Sequence, residues 1–212
     1  MMMNRERIGF WVRLLSIVLA VFFVGSFIFV GLGTNLSYNL FDLIGGSNQQ
    51  QGGQTTDSQA QIAQAQKQLK ENPKDPEAVK NLAALYYQDG RLEDAARVLE
   101  RGHEAAPKDQ EIPILLGQVY SRQAQMASGD EQKNLYKKAG DAYAAATEIA
   151  PDNSNAYLLA GQAYDQAGEP AQAIKYYNGY LDREPNSQQA SAVKERISAL
   201  LKGGITTENT QP

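Results

Sequence analysis

Four prolines set the frame of this 212-residue chain. Pro73 and Pro107 lie 34 positions apart, Pro107 and Pro151 44 apart, and Pro151 and Pro185 34 apart again. Each closes an alanine-rich stretch of helical pattern and precedes a polar pair. A period of this size marks one supersecondary unit used several times, in which each copy cannot bury its apolar face alone and must stack on the next.

The stretch before Pro107, "PEAVKNLAALYYQDGRLEDAARVLERGHEAAP", superposes on the stretch before Pro185, "SNAYLLAGQAYDQAGEPAQAIKYYNGYLDREP". Two helices approach closely only where small residues sit at their crossing and larger neighbours fill the space beside them. Ala83 with Ala95, Gly117 with Ala139, and Gly161 with Ala173 supply such crossings. "QDG" at 88–90 and "QAG" at 166–168 supply turns ended by glycine. Asp75 before Pro76 predicts an N-cap with proline in the first helical turn, and Glu169 before Pro170 repeats the proline placement.

This pattern resembles the tetratricopeptide repeat (TPR) family. Its signature positions fall on Val79, Leu82, Ala83, Tyr86, Ala95, Leu99, Gly102 and Pro107 in the first copy. In the third they fall on Tyr157, Ala160, Gly161, Tyr164, Ala173, Tyr177, Tyr180 and Pro185. The middle copy matches with Leu116, Gly117, Tyr120, Ala139, Tyr143, Ala146 and Pro151, but carries Pro113 where a bulky residue is usual. The resemblance implies an all-α, right-handed solenoid of three helix-turn-helix repeats, at about 76–109, 110–153 and 154–187. The middle repeat is 10 residues longer than the others. Its periodicity does not break across the excess, which predicts lengthened helices joined at "SGD", 128–130, and a pair that projects beyond its neighbours.

Helical patterns at 58–71 (Ile62, Ala65, Leu69) and 188–202 (Ala190, Val193, Ile197, Leu200, Leu201) read as capping helices, since the ends of a repeat array need one polar face. Gly203 and Gly204 are expected to end the last helix and leave 203–212 as a disordered tail.

Ahead of this 58–202 domain, "LLSIVLAVFFVGSFIFVGLG" at 14–33 is 20 residues without a charge, the length of one membrane-crossing helix. Arg5, Arg7 and Arg13 precede it, with Trp11 at the interface, and the next basic residue is Lys67. The positive-inside rule therefore predicts residues 1–13 in the cytoplasm of a bacterial cell and the repeats outside its cytoplasmic membrane. Cleavage after 33 to release a soluble binding protein is the alternative. Ser16 and Ala20 have small-xxx-small spacing, a face through which two such helices can form a homodimer, although two ordinary small residues explain it better. Residues 34–57 combine a juxtamembrane segment with a Gly/Gln-rich linker, whose dozen flexible residues span roughly 20 Å.

Chemistry is sparse. The chain has no cysteine and one histidine, His103, so thiolate catalysis, disulfides, cysteine-type zinc sites and a nucleophile–base pair have no residues to build them. The glycines at 45, 46, 52 and 53 follow no strand and open no GK[ST] loop. Net charge is −4, and about −6 beyond the first forty residues, which disfavours nucleic acid as a partner. The expectation is a non-enzymatic scaffold or adaptor that binds a protein or peptide, with no cofactor, metal or catalytic residue. A role in envelope assembly or secretion, or as an accessory subunit of a membrane enzyme, would suit that layout.

By resemblance, the first helix of each repeat lines a concave peptide-binding groove. The candidate lining is Lys80, Ala84, Tyr87 and Gln88 in the first repeat, Ile114, Gln118 and Arg122 in the second, and Leu158, Gln162, Asp165 and Gln166 in the third. One subgroup of the family clamps a C-terminal carboxylate with lysine, asparagine and arginine; only Lys80 matches that set here, so the activity does not carry over. Among the clustered tyrosines of "AIKYYNGYLDREP", Tyr177 is expected to be buried against its own repeat and Tyr180 to fill space beside the C-terminal cap. Tyr176 is expected to keep its hydroxyl in water.

Overall fold

The computed structural model describes residues 55–208, with side chains over 58–202. These residues form eight α-helices and no strand: α1 (Thr55–Glu71), α2 (Pro76–Gln88), α3 (Leu92–Ala105), α4 (Glu111–Met126), α5 (Gly129–Ile149), α6 (Ser154–Ala167), α7 (Pro170–Arg183) and α8 (Ala190–Glu208). Each helix packs on the next, and α2 also touches α4, the contact order of a solenoid of helical hairpins. Among the described residues no helix is long and apolar enough to cross a membrane. The predicted span at 14–33, the juxtamembrane segment and the glycine-rich part of the linker lie outside the described residues.

Local chemistry sets the helix ends. The Asp75 side chain accepts from the Glu77 amide at 3.0 Å, and Pro76 follows in the first turn, where its missing N–H costs nothing. Asp109 performs the same service for α4, accepting from the amides of Glu111 and Ile112. Gly90 and Gly168 turn the chain at φ +75° and +77°, a region that only glycine enters cheaply. In the long middle hairpin α4 and α5 run to Met126 and start at Gly129, so the 10 extra residues extend both helices as the periodicity predicts.

Two boundaries differ from expectation. Helix α1 begins at Thr55, three residues inside the expected linker. Helix α8 runs through Gly203 and Gly204 to Glu208. Glycine allows a left-handed stop but does not impose one, and Gly140, Gly161 and Gly179 likewise sit inside helices.

The core is built of small residues under rings. Ala83, Ala95, Ala139, Ala146, Ala160 and Ala173 have no accessible surface. Glycine is required where a ring lies on the backbone: a Cβ on Gly117 would come within 2.6 Å of the Tyr143 ring, and one on Gly161 within 2.6 Å of Tyr177. Tyr177 is thereby buried against the first helix of its own repeat, as expected. Tyr176 is 7 % exposed overall, stacked on Tyr164 at 5.4 Å and tilted against Tyr157 at 6.2 Å, so the three rings cover one another's faces.

Candidate functional site

Positions at which a TPR groove is lined fall on α2, α4 and α6. Gln88, Arg122 and Gln166 are exposed, whereas Tyr87, Gln118 and Gln162 are half-buried. Ala84, Ile114 and Leu158 are buried, so their side chains offer no open lining. Helical spacing alone could not separate these classes, because the packing that covers the apolar members comes from neighbouring helices.

Lys80 requires a correction. It is not an open groove lysine: its side chain is 5 % exposed and ion-paired with Glu77 at 2.7 Å, Glu111 at 2.6 Å and Asp109 at 3.4 Å. Its stem folds over the repeat boundary and ties α2 to the loop before α4 and to the first turn of α4. Burial opposes the charge, but the hydrogen bonds to Glu111 and Glu77 and the field of Asp109 outweigh it and hold the ammonium above the usual lysine range.

Asp165 is also committed within the molecule. Arg196 of α8 donates to both carboxylate oxygens, at 2.5 and 2.6 Å, and the Tyr177 hydroxyl donates to the same group at 3.2 Å. The aspartate side chain is 8 % exposed, so this bidentate pair is shielded on one side and stronger than a surface contact. Arg122 donates only to Gln125, at 3.2 Å. The Gln118 Oε1 atom is buried and accepts no hydrogen bond, as does Nδ1 of His103.

Behind this face runs a tyrosine seam that the sequence pattern did not disclose. Tyr86, Tyr120 and Tyr164 occupy one repeat position, and each hydroxyl reaches the preceding second or capping helix. Gln66 donates to Tyr86 at 2.6 Å, Tyr120 donates to Glu100, and Tyr164 donates to Asp141 at 2.7 Å. Burial, then the nearby carboxylate, pushes the Tyr120 and Tyr164 phenols well above the usual tyrosine value. A spacing of 20 residues, met twice, was the available signal, but it names a partner only after the helices are stacked. At the far end Arg183 lies 3.7 Å from the Tyr157 ring and donates to the Tyr157 hydroxyl and to the Gly179 and Pro151 carbonyls. It fastens the turn before α6 to the end of α7.

Among the described residues no group of three or more histidine, cysteine, aspartate or glutamate side chains is arranged to hold a metal ion. The arrangement presents amides and carboxylates on a helical face and no reactive pair.

Such a stack of helical hairpins with a glutamine-rich first-helix face defines a repeat module built for protein contacts. A family model described as Tetratricopeptide Repeats-Sensor matches residues 57–163, and a Tetratricopeptide repeat model matches 132–197. The chain belongs to the tetratricopeptide repeat family. A search of curated proteins finds no match. Among solved structures, one titled "Crystal structure of MamA" is similar at 23 % identity and TM-score 0.54, covering 70 % of this chain and 80 % of the other. Another, "MamA MSR-1 C2", is similar at 20 % identity and TM-score 0.51, covering 74 % and 83 %. At these identities the likeness concerns the fold.

Proposed function

We propose that this chain is a non-enzymatic interaction scaffold that holds a protein or peptide partner in the groove of its TPR domain, tethered to the bacterial cytoplasmic membrane by residues 14–33. The observation that carries the groove reading is the split between the two sides of α2, α4 and α6. Ala84, Ile114 and Leu158 are consumed in packing, while Gln88 and Gln166 are exposed and Gln162 is half-buried. Amides offer donors and acceptors together, which suits the backbone of an extended peptide. The uncharged run of 20 residues behind three arginines supports the tether and an extracytoplasmic domain, in which an envelope assembly or secretion role fits best.

The test is photo-crosslinking in intact cells from a reactive residue at position 88 or 166, with position 101 on α3 as control. A discrete adduct from the groove positions alone is expected, and no adduct there removes the groove reading. The tether is checked separately by alkaline extraction of membranes and by protease digestion of spheroplasts. A protein that washes off, or repeats shielded from external protease, would end that part.

A further inference from the structure

We propose that the tip of the long middle hairpin is a docking surface for an acidic amphipathic segment of a protein partner, which packs an apolar side chain on Met126 and sets a carboxylate on Arg122. This goes beyond the groove reading and stands or falls apart from it.

Helices α4 and α5 hold 16 and 21 residues, against 13 or 14 in α2, α3, α6 and α7, and the excess lies at the end where Met126 meets Gly129. Positions 112, 115, 119, 122 and 126 of α4 follow one another by three and four residues, so they form one stripe along the helix. Its first three members, Ile112, Leu115 and Val119, have no accessible surface. The stripe then runs past the ends of the shorter neighbours: Arg122 is exposed, and Met126 keeps 75 % of its surface in solvent. Met126 thus continues a core stripe without a helix to cover it, and its unbranched thioether adapts to whatever packs there.

Charge selects the occupant. Over 122–138 four basic residues meet two acidic ones, a net +2, whereas the remainder of 58–202 carries thirteen against eighteen, a net −5. The two acids, Asp130 and Glu131, lie in the first turn of α5 at the positive end of its dipole. Of the bases, Lys137 leans on Asp141 at 3.4 Å, while Arg122 donates only to the uncharged Gln125, and among the described residues neither it nor Lys133 forms an ion pair. A guanidinium so lightly engaged can take a carboxylate in two-pronged geometry. A partner helix with an acidic residue one turn from an apolar one matches the spacing of Arg122 and Met126.

The experiment is panning of a random peptide library on the full chain in detergent micelles. Each selected peptide is then measured against Arg122→Gln, Met126→Gln and, as a control that removes one positive charge elsewhere, Lys194→Gln. Peptides with aspartate or glutamate one helical turn from an apolar residue are expected, binding Arg122→Gln and Met126→Gln roughly tenfold more weakly and Lys194→Gln as tightly as the wild type. All three positions are exposed, so the variants keep their fold, which circular dichroism verifies. Peroxide footprinting reads occupancy directly: Met126 is the single methionine of 58–202, and a bound peptide should slow its conversion to the sulfoxide. Selected peptides that lack acidic residues, or that bind Met126→Gln as well as the wild type, overturn the inference. So does protection of Met126 that appears without peptide, either on adding phosphatidylglycerol, which would make the occupant a lipid surface, or on raising the protein concentration, which would make it a second copy. Selection of nothing also ends the tip reading, and crosslinking from positions 88 and 166 still judges the groove on its own.

Discussion

Tyr143 and Tyr177 show how much one ring can demand of its surroundings. Each lies flat on a helix backbone at a glycine, Gly117 or Gly161, with no room for a methyl group. Alanine would gain about 1 kcal/mol of helix propensity over glycine, yet a Cβ 2.6 Å from a buried ring must displace it, at about 1–3 kcal/mol. Gly117→Ala is therefore expected to lower stability by up to about 2 kcal/mol in urea denaturation, and a stabilised variant would show that the ring has space to move. These ring and glycine positions were legible from the repeat pattern. The hydroxyl partners of Tyr86, Tyr120 and Tyr164 were not, because Gln66, Glu100 and Asp141 have no periodic signal of their own and meet these tyrosines only across stacked helices.

At the scale of the element, α8 is the lightly held one. Over its described side chains only Ala190 and Val193 are buried, Ile197 and Leu200 are half-buried, and polar ties add to them. Arg196 grips Asp165, while the buried Tyr180 shares a hydrogen bond with Ser187 and donates to Gln189 in the segment that leads into α8. The small residue beside Tyr180 is Gly179, where an added Cβ would strike the Tyr157 ring, and the larger Tyr180 side chain serves the cap. Tyr180→Phe should cost about 1 kcal/mol and Tyr180→Ala about 3–5 kcal/mol. In hydrogen exchange the loss should appear in α8 and the end of α7 while α4 and α5 stay protected. Equal loss of protection throughout would mean that the ring supports the whole stack and not the cap.

At the scale of the molecule, the seams respond together to alkali. Burial pushes the phenols of Tyr120, Tyr143, Tyr164 and Tyr177 up, with Glu100, Asp141 and Asp165 adding to the first, third and fourth. Lys80 is held above its ordinary value as well. Groups whose folded values exceed the unfolded ones contribute stability that is complete below about pH 10 and is lost as pH rises through the folded values. Phenolate absorbance and helical circular dichroism should thus change together in a steep step above that pH. A smooth titration of all 11 tyrosines with helicity intact would show that the rings are not sealed in the seams. Because every repeat boundary carries at least one such group, the step should involve the whole array.

The sequence by itself determined the repeat, its elongated middle copy, the turns at Gly90 and Gly168, and which helices stack. Those follow from periodicity and from backbone demands that a residue meets or fails locally. Only the tertiary structure decided that Lys80 is sealed among Glu77, Asp109 and Glu111, that Asp165 belongs to Arg196, that Tyr176 is buried, and that α8 runs past its glycines. A charged side chain's partner depends on which helices stacking brings within about 4 Å, and helical spacing carries no record of that distance.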